Sequence, residues 1–155
     1  MKIPSGAFVI VKEILRHVLR RPVVGIARVA RDEAGRYLLV RRADTGQWAL
    51  PGGTLEWGER LRPCLVRELR EETNATLAGE PRLVGVYSEP SRDPRFHAVT
   101  VVAECRVSAP SPKAENPVEI RDVRFFAEGE LPAEMAFGMQ DMLDVVREGR
   151  EPHLE

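Results

Sequence analysis

Residues 52–75 read GGTLEWGERLRPCLVRELREETNA, and the second half of this stretch predicts a helix that carries three glutamates close together. Glu68, Glu71 and Glu72 stand at positions i, i+3 and i+4, a spacing at which like charges on a helix repel one another. The bare arrangement therefore costs stability, and another feature of the protein has to offset that cost.

Apolar residues indicate which face of this helix is buried. Leu65, Val66 and Leu69 occupy the arc next to the glutamates, and we expect all three to pack on a sheet. The glutamates then border a cleft, where their oxygens suit Mg²⁺ or Mn²⁺, and a bound cation would offset the repulsion. In the alternative, the helix face is solvated, and Arg67 and Arg70 neutralise the glutamates.

A double glycine upstream of the helix bears on this choice. Gly52 and Gly53 directly follow Pro51. Glycine allows the backbone to come close to a ligand or a metal, and proline stiffens the approach. The pattern therefore favours a cation site over a solvated helix face.

The same stretch resembles the signature of the Nudix hydrolases. Gly53 is followed by five residues and Glu59, and seven further residues lead to Arg67. The signature continues with Glu68, Leu69, Glu71 and Glu72. Asn74 stands where the family has glycine. Because asparagine is the next most tolerated residue in a left-handed helix cap, we expect the helix to end there all the same.

The resemblance implies hydrolysis of a nucleoside diphosphate linked to another group, in which water cleaves a phosphoanhydride with the help of divalent cations. The metal ligands that it implies are the Gly52 carbonyl and the carboxylates of Glu68, Glu71 and Glu72. Glu71 would alternatively act as a base through water. The catalytic candidates within the signature are therefore Glu71, as this base, and Glu72, as a ligand of the catalytic cation. The residues that would support the site are Gly53 and the ion pair of Glu59 and Arg67.

Many members of this family use a further carboxylate from outside the signature, shortly before an aromatic pair. Glu119 lies six residues before Phe125, the first of two adjacent phenylalanines, and Glu115 is a nearby competitor. We expect Glu119 to be an additional metal ligand or general base. The alternative is a charge at a strand edge that faces water.

Three further residues are candidates for substrate binding. Arg42 and Arg95 would contact phosphate or ribose, although isolated arginines are also common as surface charges. Trp48, just before the double glycine, would either stack on a base or pack the loop.

The rest of the sequence predicts a mixed sheet between helices, an α/β protein, and the resemblance implies the Nudix α/β/α sandwich. We expect a hairpin of strands over residues 23–31 and 37–42, a turn over 74–79, and a closing helix over 135–148. Further strands are predicted over 83–88, 98–107 and 118–126. An extra amphipathic helix over residues 7–21 would pack on its own domain or contribute to a dimer contact.

Length and charge restrict the class of protein. The 155 residues fit one domain over residues 1–155, and 23 basic against 24 acidic residues argue against a nucleic-acid or anionic-membrane binder. Cys64 and Cys105 show no CxxC spacing, which argues against a zinc site or a disulfide framework and suggests the reducing cytoplasm. No apolar stretch approaches the ~20 residues of a membrane span.

Pro90, fifteen residues beyond Ala75, resembles a marker of the ADP-ribose pyrophosphatase branch. The first expectation is therefore a hydrolase of ADP-ribose or another nucleoside diphosphate sugar, and the likeness to this branch also implies a homodimer. The alternative is a nucleoside triphosphate pyrophosphohydrolase that sanitises nucleotides or acts on RNA 5′ ends. A Nudix module that binds a nucleotide without turnover is the alternative from a different class of protein.

Overall fold

The computed structural model describes residue 10, residues 21–150 and residues 152–155. The helix predicted over residues 7–21 lies almost entirely outside these residues. Its suggested role in a dimer therefore stays a prediction. Within the described ranges, no helix is both long enough and apolar enough to cross a membrane.

The described chain alternates short strands with two α-helices. The strands are β1 (Val23–Arg31), β2 (Tyr37–Arg42), β3 (Trp48–Ala49), β4 (Gly52–Thr54), β5 (Thr76–Leu77), β6 (Arg82–Tyr87), β7 (Ala98–Ser108), β8 (Ile120–Phe126) and β9 (His153–Leu154). The helices are α1 (Leu61–Thr73) and α2 (Met139–Arg147), and 3₁₀ turns cover Glu128–Glu130 and Ala136–Gly138.

The strands form a mixed sheet, as predicted. Its order is β3-β2-β1-β7-β6-β9, with β4 also paired to β1, β5 to β7 and β8 to β2. β1 runs antiparallel to β2 and parallel to β7. The antiparallel pair aligns Ala30 with Leu38 and Arg31 with Tyr37, which confirms the predicted hairpin.

The two helices cover opposite faces of the sheet, as the contacts of β1 show. Successive residues of this strand point to opposite sides of the sheet. Ile26 shares an apolar cluster with Leu65 of α1. Val29, three residues later, shares another with Leu143 of α2. The sheet therefore lies between the helices, and the predicted α/β sandwich is confirmed.

Local chemistry explains both ends of α1. Pro63 lies in the first turn, where a missing N–H leaves no helical hydrogen bond unmade. Asn74 follows the last helical residue with φ 54° and ψ 25°, and its N–H donates to the Arg70 carbonyl at 2.9 Å. The left-handed cap expected at this asparagine is confirmed.

Three differences from the sequence prediction exceed a shift of one residue at the end of an element. The turn predicted over 74–79 contains β5, because Thr76 pairs with Ser108 of β7. β8 begins at Ile120 rather than at residue 118, so Glu119 lies in the turn before it, where its N–H donates to the Asn116 carbonyl.

The third difference concerns α2, which begins at Met139 rather than at residue 135. Phe137 and Gly138 both adopt a left-handed backbone, with φ values of 58° and 64°. A right-handed helix cannot continue through such residues, so the apolar pattern before Met139 belongs to a separate 3₁₀ turn.

Val66 was expected to pack on the sheet, and this expectation is wrong. The side chain is 43% exposed, whereas Leu65 and Leu69 are buried. Val66 lies on the outer side of α1, so the buried stripe of this helix is narrower than its apolar pattern indicates.

Alanine substitutions on α1 test this assignment. Leu69→Ala removes a fully buried side chain and should lower the free energy of unfolding by about 2–5 kcal/mol. The matched change Val66→Ala, on the exposed side, should stay within about 0.5 kcal/mol of the parent protein. Urea denaturation measures both, and equal losses would contradict the placement of Val66.

Candidate active site

Two glycines allow α1 to approach the sheet at β4. A Cβ atom at Gly52 would lie 2.6 Å from the Ile26 carbonyl oxygen, and one at Gly53 would collide with the carboxyl group of Glu68. Any other residue type would push β4 away from β1 or displace Glu68. The double glycine therefore provides a close approach between the strand backbone and a carboxylate of the helix.

Glu72 is the most buried of the three glutamates. Its Oε2 atom accepts a hydrogen bond from the Gly52 N–H at 2.7 Å and lies 3.8 Å from Nη1 of Arg28. Burial raises the pKa of Glu72 to about 7, and repulsion from Glu68 adds to the rise, although Arg28 and the Gly52 N–H oppose it. A divalent cation beside this carboxyl would favour its ionised form.

Arg28 was not identified by the sequence analysis. It lies in the middle of β1 and is fully buried, and burial lowers its pKa. Within the described part of the chain, none of its three guanidinium nitrogens has a hydrogen-bond partner. Its Nη1 atom forms an ion pair with Glu72, so this charge lies beneath the glutamate helix. The only sequence signal is an arginine inside an otherwise apolar strand.

Arg67 connects the glutamates to the loop before the helix. Its Nε and Nη2 atoms donate to the two carboxylate oxygens of Glu59 at 3.0 and 2.8 Å, and Nη1 donates to Glu68 at 2.7 Å. The hydrogen bonds from Arg67 lower the pKa of Glu59 to about 2. The Glu59–Arg67 pair thus exists in the structure, and it ties the loop to α1.

Glu71 has a different environment from its two neighbours. Its side chain is 58% exposed and lies 3.3 Å from Nη1 of Arg67, whereas the side chains of Glu68 and Glu72 are only 14% and 12% exposed. The alternative of a solvated face neutralised by arginine thus describes Glu71. It does not describe Glu68 and Glu72, which face the glycine strand.

The donor set fits a hard divalent cation by its chemistry, because carboxylates and a carbonyl are the ligands that Mg²⁺ and Mn²⁺ prefer. Among the described residues, however, no three acidic, histidine or cysteine side chains already converge on one point. Glu68 is turned toward Arg67 and Glu72 toward the Gly52 N–H. Binding of a cation would therefore require these carboxylates to exchange partners.

Two adjoining cavities surround this region. The first, which we call the carboxylate cleft, is lined by Arg42, Asp44, Gly52, Gly53, Thr54, Glu68, Glu71, Glu72, Arg95, Asn116, Val118, Glu119 and Ile120. The second, the apolar pocket, is lined by side chains that include Val40, Leu50, Tyr87, Phe96, Phe137, Met139 and Met142, with Arg42, Arg92 and Arg95 at its polar side. The residues common to both are Arg42, Gly52, Gly53, Glu72 and Arg95.

The structure brings most of the predicted site residues together. Arg42 and Arg95 line both cavities, and the exposed Glu119 lines the carboxylate cleft. Glu115 lies instead in a depression beside Val66, on the outer side of α1.

Trp48 does not join this group. Its ring packs edge-on against Phe126, with centroids 4.8 Å apart, and it lines neither cavity. The structure thus shows Trp48 packed against the last residue of β8, and stacking on a base stays a prediction.

Glu155 is the second residue near the site that the sequence did not indicate. Its Oε2 atom accepts hydrogen bonds from the N–H groups of Ser88 and Glu89 at 2.7 and 2.6 Å, and Oε1 accepts from Nε of Arg92 at 2.9 Å. These contacts, that with Arg92 foremost, lower the pKa of Glu155 to about 2. One carboxylate therefore fixes the loop that supplies Arg92 and Arg95 to the apolar pocket.

Comparison with known proteins agrees with this geometry. Residues 19–146 match the family description of the NUDIX domain. The chain belongs to the Nudix hydrolase family. A curated Nudix relative from Methanocaldococcus jannaschii, named ADP-ribose pyrophosphatase, is 34% identical over 115 residues, which cover 72% of this chain and 66% of that protein. The chain spans between about half and two-thirds of the length of the first curated relatives that it matches.

Solved structures show the same Nudix fold. A MutT NUDIX hydrolase from Burkholderia pseudomallei superposes with a TM-score of 0.71 at 27% identity, covering 82% of this chain and 99% of that one. The NUDIX domain of NrtR from Shewanella oneidensis, solved in complex with ADP ribose, gives a TM-score of 0.75 at 20% identity, covering 95% of this chain and 99% of that one.

The close approach at Gly53 can be tested in this Nudix chain by Gly53→Ala. Because the added Cβ displaces the Glu68 carboxyl, Mn²⁺ affinity measured by electron paramagnetic resonance should fall about tenfold or more. Gly129→Ala is the control, since a Cβ there meets nothing within 4 Å. Unchanged Mn²⁺ affinity in Gly53→Ala would show that the close approach at this glycine does not affect cation binding.

Glu155→Gln tests the carboxylate that fixes the pocket loop. Since the pKa of Glu155 is lowered from 4.5 to about 2 in the folded protein, its stabilisation is present above pH 4.5 and is lost as the pH falls through about 2. The variant should lose about 1 kcal/mol of unfolding free energy at pH 7, given the partial exposure of the pair. In urea denaturation the difference should shrink toward pH 2.

The control is Glu80→Gln, because Glu80 pairs with Arg62 on an exposed surface. It should leave the stability unchanged at both pH values. A loss in Glu155→Gln that is the same at pH 7 and pH 2 would contradict the role of the ionised carboxylate.

Proposed function

We propose that this Nudix protein hydrolyses the phosphoanhydride bond of a nucleoside diphosphate linked to another group, first of all ADP-ribose or another nucleoside diphosphate sugar. One observation carries the proposal, namely that the carboxylate cleft adjoins the apolar pocket and shares five lining residues with it. A ligand with a diphosphate and an organic group attached to it matches such a pair of cavities.

The residues of the carboxylate cleft have distinct parts in this proposal. Mg²⁺ or Mn²⁺, when bound, neutralises the phosphates and lowers the pKa of a water molecule. Glu68 and Glu72 would hold the cation together with the Gly52 carbonyl. Glu71 or Glu119, which are exposed and line the same cleft, would accept the proton of the attacking water.

The remaining polar residues bind and position. Arg42 and Arg95 would bind phosphate oxygens at the boundary of the two cavities. Gly53 and the Glu59–Arg67 pair would keep the loop and α1 at their present separation, as their contacts in the structure indicate.

The choice of a nucleoside diphosphate sugar rests on likeness. The Methanocaldococcus jannaschii relative is named ADP-ribose pyrophosphatase, and the NrtR domain was solved with ADP ribose. Pro90, which resembles a marker of the ADP-ribose pyrophosphatase branch, supports the same choice of substrate. It lies in the loop that Glu155 fixes beside the apolar pocket.

The proposal extends to assembly and location. We expect a homodimer, as the likeness to the ADP-ribose branch implies. We also expect the reducing cytoplasm, which agrees with two buried, unpaired cysteines in the described residues, Cys64 and Cys105.

A substrate panel tests the activity. The protein is incubated with Mg²⁺ and ADP-ribose, nucleotide sugars or nucleoside triphosphates, and the products are separated by chromatography. Hydrolysis of ADP-ribose to AMP and ribose 5-phosphate supports the proposal. Preference for triphosphates would favour the alternative pyrophosphohydrolase, and ligand binding without hydrolysis would favour a silent Nudix module.

Glu72→Gln tests the assignment of the metal ligand. Loss of the charge that would hold the cation should lower kcat by at least about 100-fold, while circular dichroism shows an intact fold. Glu148→Gln is the control, because Glu148 pairs with Arg150 at 2.7 Å at the end of α2. Full activity of Glu72→Gln would refute the metal assignment.

A further inference from the structure

The two arginines at the boundary between the carboxylate cleft and the apolar pocket stack on one aromatic ring. The guanidinium carbon of Arg42 lies 4.8 Å from the ring centroid of Phe137, and that of Arg95 lies at the same distance. Both arginines line both cavities, and Phe137 lines the apolar pocket. Three segments that are distant in sequence therefore meet at this ring.

The two arginines also share an anionic partner. Asp44 accepts from Nε and Nη2 of Arg42 at 2.9 and 2.6 Å and from Nη1 of Arg95 at 3.2 Å, while Asp93 holds the other edge of Arg95. The two guanidinium groups thus converge on one carboxylate. Phosphate oxygens accept hydrogen bonds from guanidinium groups in the same way, so the position suits a phosphate that replaces Asp44.

The backbone at Phe137 is unusual. Its φ of 58° and ψ of 26° are left-handed, a conformation that is costly for a residue with a large side chain. Gly138 follows with φ 64°, and its carbonyl accepts from Nη1 of Arg92 at 3.1 Å. Residues held in such conformations by their surroundings are concentrated at functional sites.

Stacking leaves the arginines ready to bind an anion. An aromatic ring contacts the flat face of a guanidinium group and leaves its N–H edge to anions, and here Asp44 and Asp93 occupy those edges. A ring that contacts both guanidinium groups thus helps to fix their positions before the ligand arrives, which lowers the entropic cost of binding.

We infer that Phe137 is a positioning residue that holds Arg42 and Arg95 as a clamp for the diphosphate of the substrate. The inference rests on the proposed function, because a diphosphate that bridges the two cavities has to pass this boundary. The clamp selects ligands with two linked phosphates, and it lies wholly outside residues 52–75.

The inference is tested by binding rather than turnover. Isothermal titration calorimetry with Mg²⁺ present measures the affinities for ADP and AMP. Phe137→Leu keeps an apolar side chain but removes the ring, so its ADP affinity should fall about fivefold to tenfold. Its AMP affinity should change less than about twofold, and Phe137→Tyr should restore ADP binding because it restores the ring.

The matched control is Phe125→Leu. Phe125 stacks under Arg36 at 5.1 Å, and neither residue lines the two cavities. This variant should keep the ADP affinity of the parent protein, so a loss in Phe137→Leu alone excludes a general effect of removing a stacked phenylalanine. If Phe137→Leu does not fold, as judged by circular dichroism, Phe137→Met takes its place.

Two results would overturn the inference. Equal losses for ADP and AMP would show that the ring contacts the nucleoside, and unchanged ADP affinity would show that the arginines need no positioning. The outcome of the substrate panel is independent of the outcome of this binding test. If no nucleoside diphosphate sugar is hydrolysed and Phe137→Leu still weakens ADP binding selectively, the clamp stands and the proposed hydrolysis does not.

Discussion

The glutamate helix can dock on the sheet only where the backbone beneath it carries no side chain. A Cβ atom at Gly52 would collide with the backbone of β1, and one at Gly53 would collide with the carboxyl of Glu68. Because β4 approaches so closely, Glu72 reaches the Gly52 N–H at 2.7 Å. The carboxylates, the apolar pocket beside them and their shared boundary all depend on this separation.

The repulsion among the three glutamates is offset by arginines placed on different sides. Arg67 contacts Glu68 and Glu71 from the loop side of the helix, and Arg28 faces Glu72 from inside the sandwich. The balance is incomplete at Glu72, whose pKa rises to about 7 because burial outweighs its favourable partners. A divalent cation would supply the missing positive charge at the point where the arginines leave a deficit.

Local signals predicted the hairpin, the helix α1 and its cap at Asn74, because each depends on residues close in sequence. Other features depend on distant contacts that no local pattern contains. The left-handed turn at Phe137 coincides with stacking on Arg42 and Arg95, and the apolar periodicity around it looks helical. Arg28 was overlooked for the same reason, since its only ion-pair partner in the described residues lies on α1.

In the proposed function, chemistry and selectivity come from different parts of the chain. The carboxylates that would carry the chemistry are supplied mainly by residues 52–75, whereas the arginines at the boundary with the apolar pocket and the ring that they contact are supplied by the end of β2, the loop after β6 and the 3₁₀ turn before α2. Glu155 ties that loop to the last strand, more than 60 residues away in sequence. Two chains with the same glutamate helix can therefore differ in ligand, because their pocket loops are fixed by other residues.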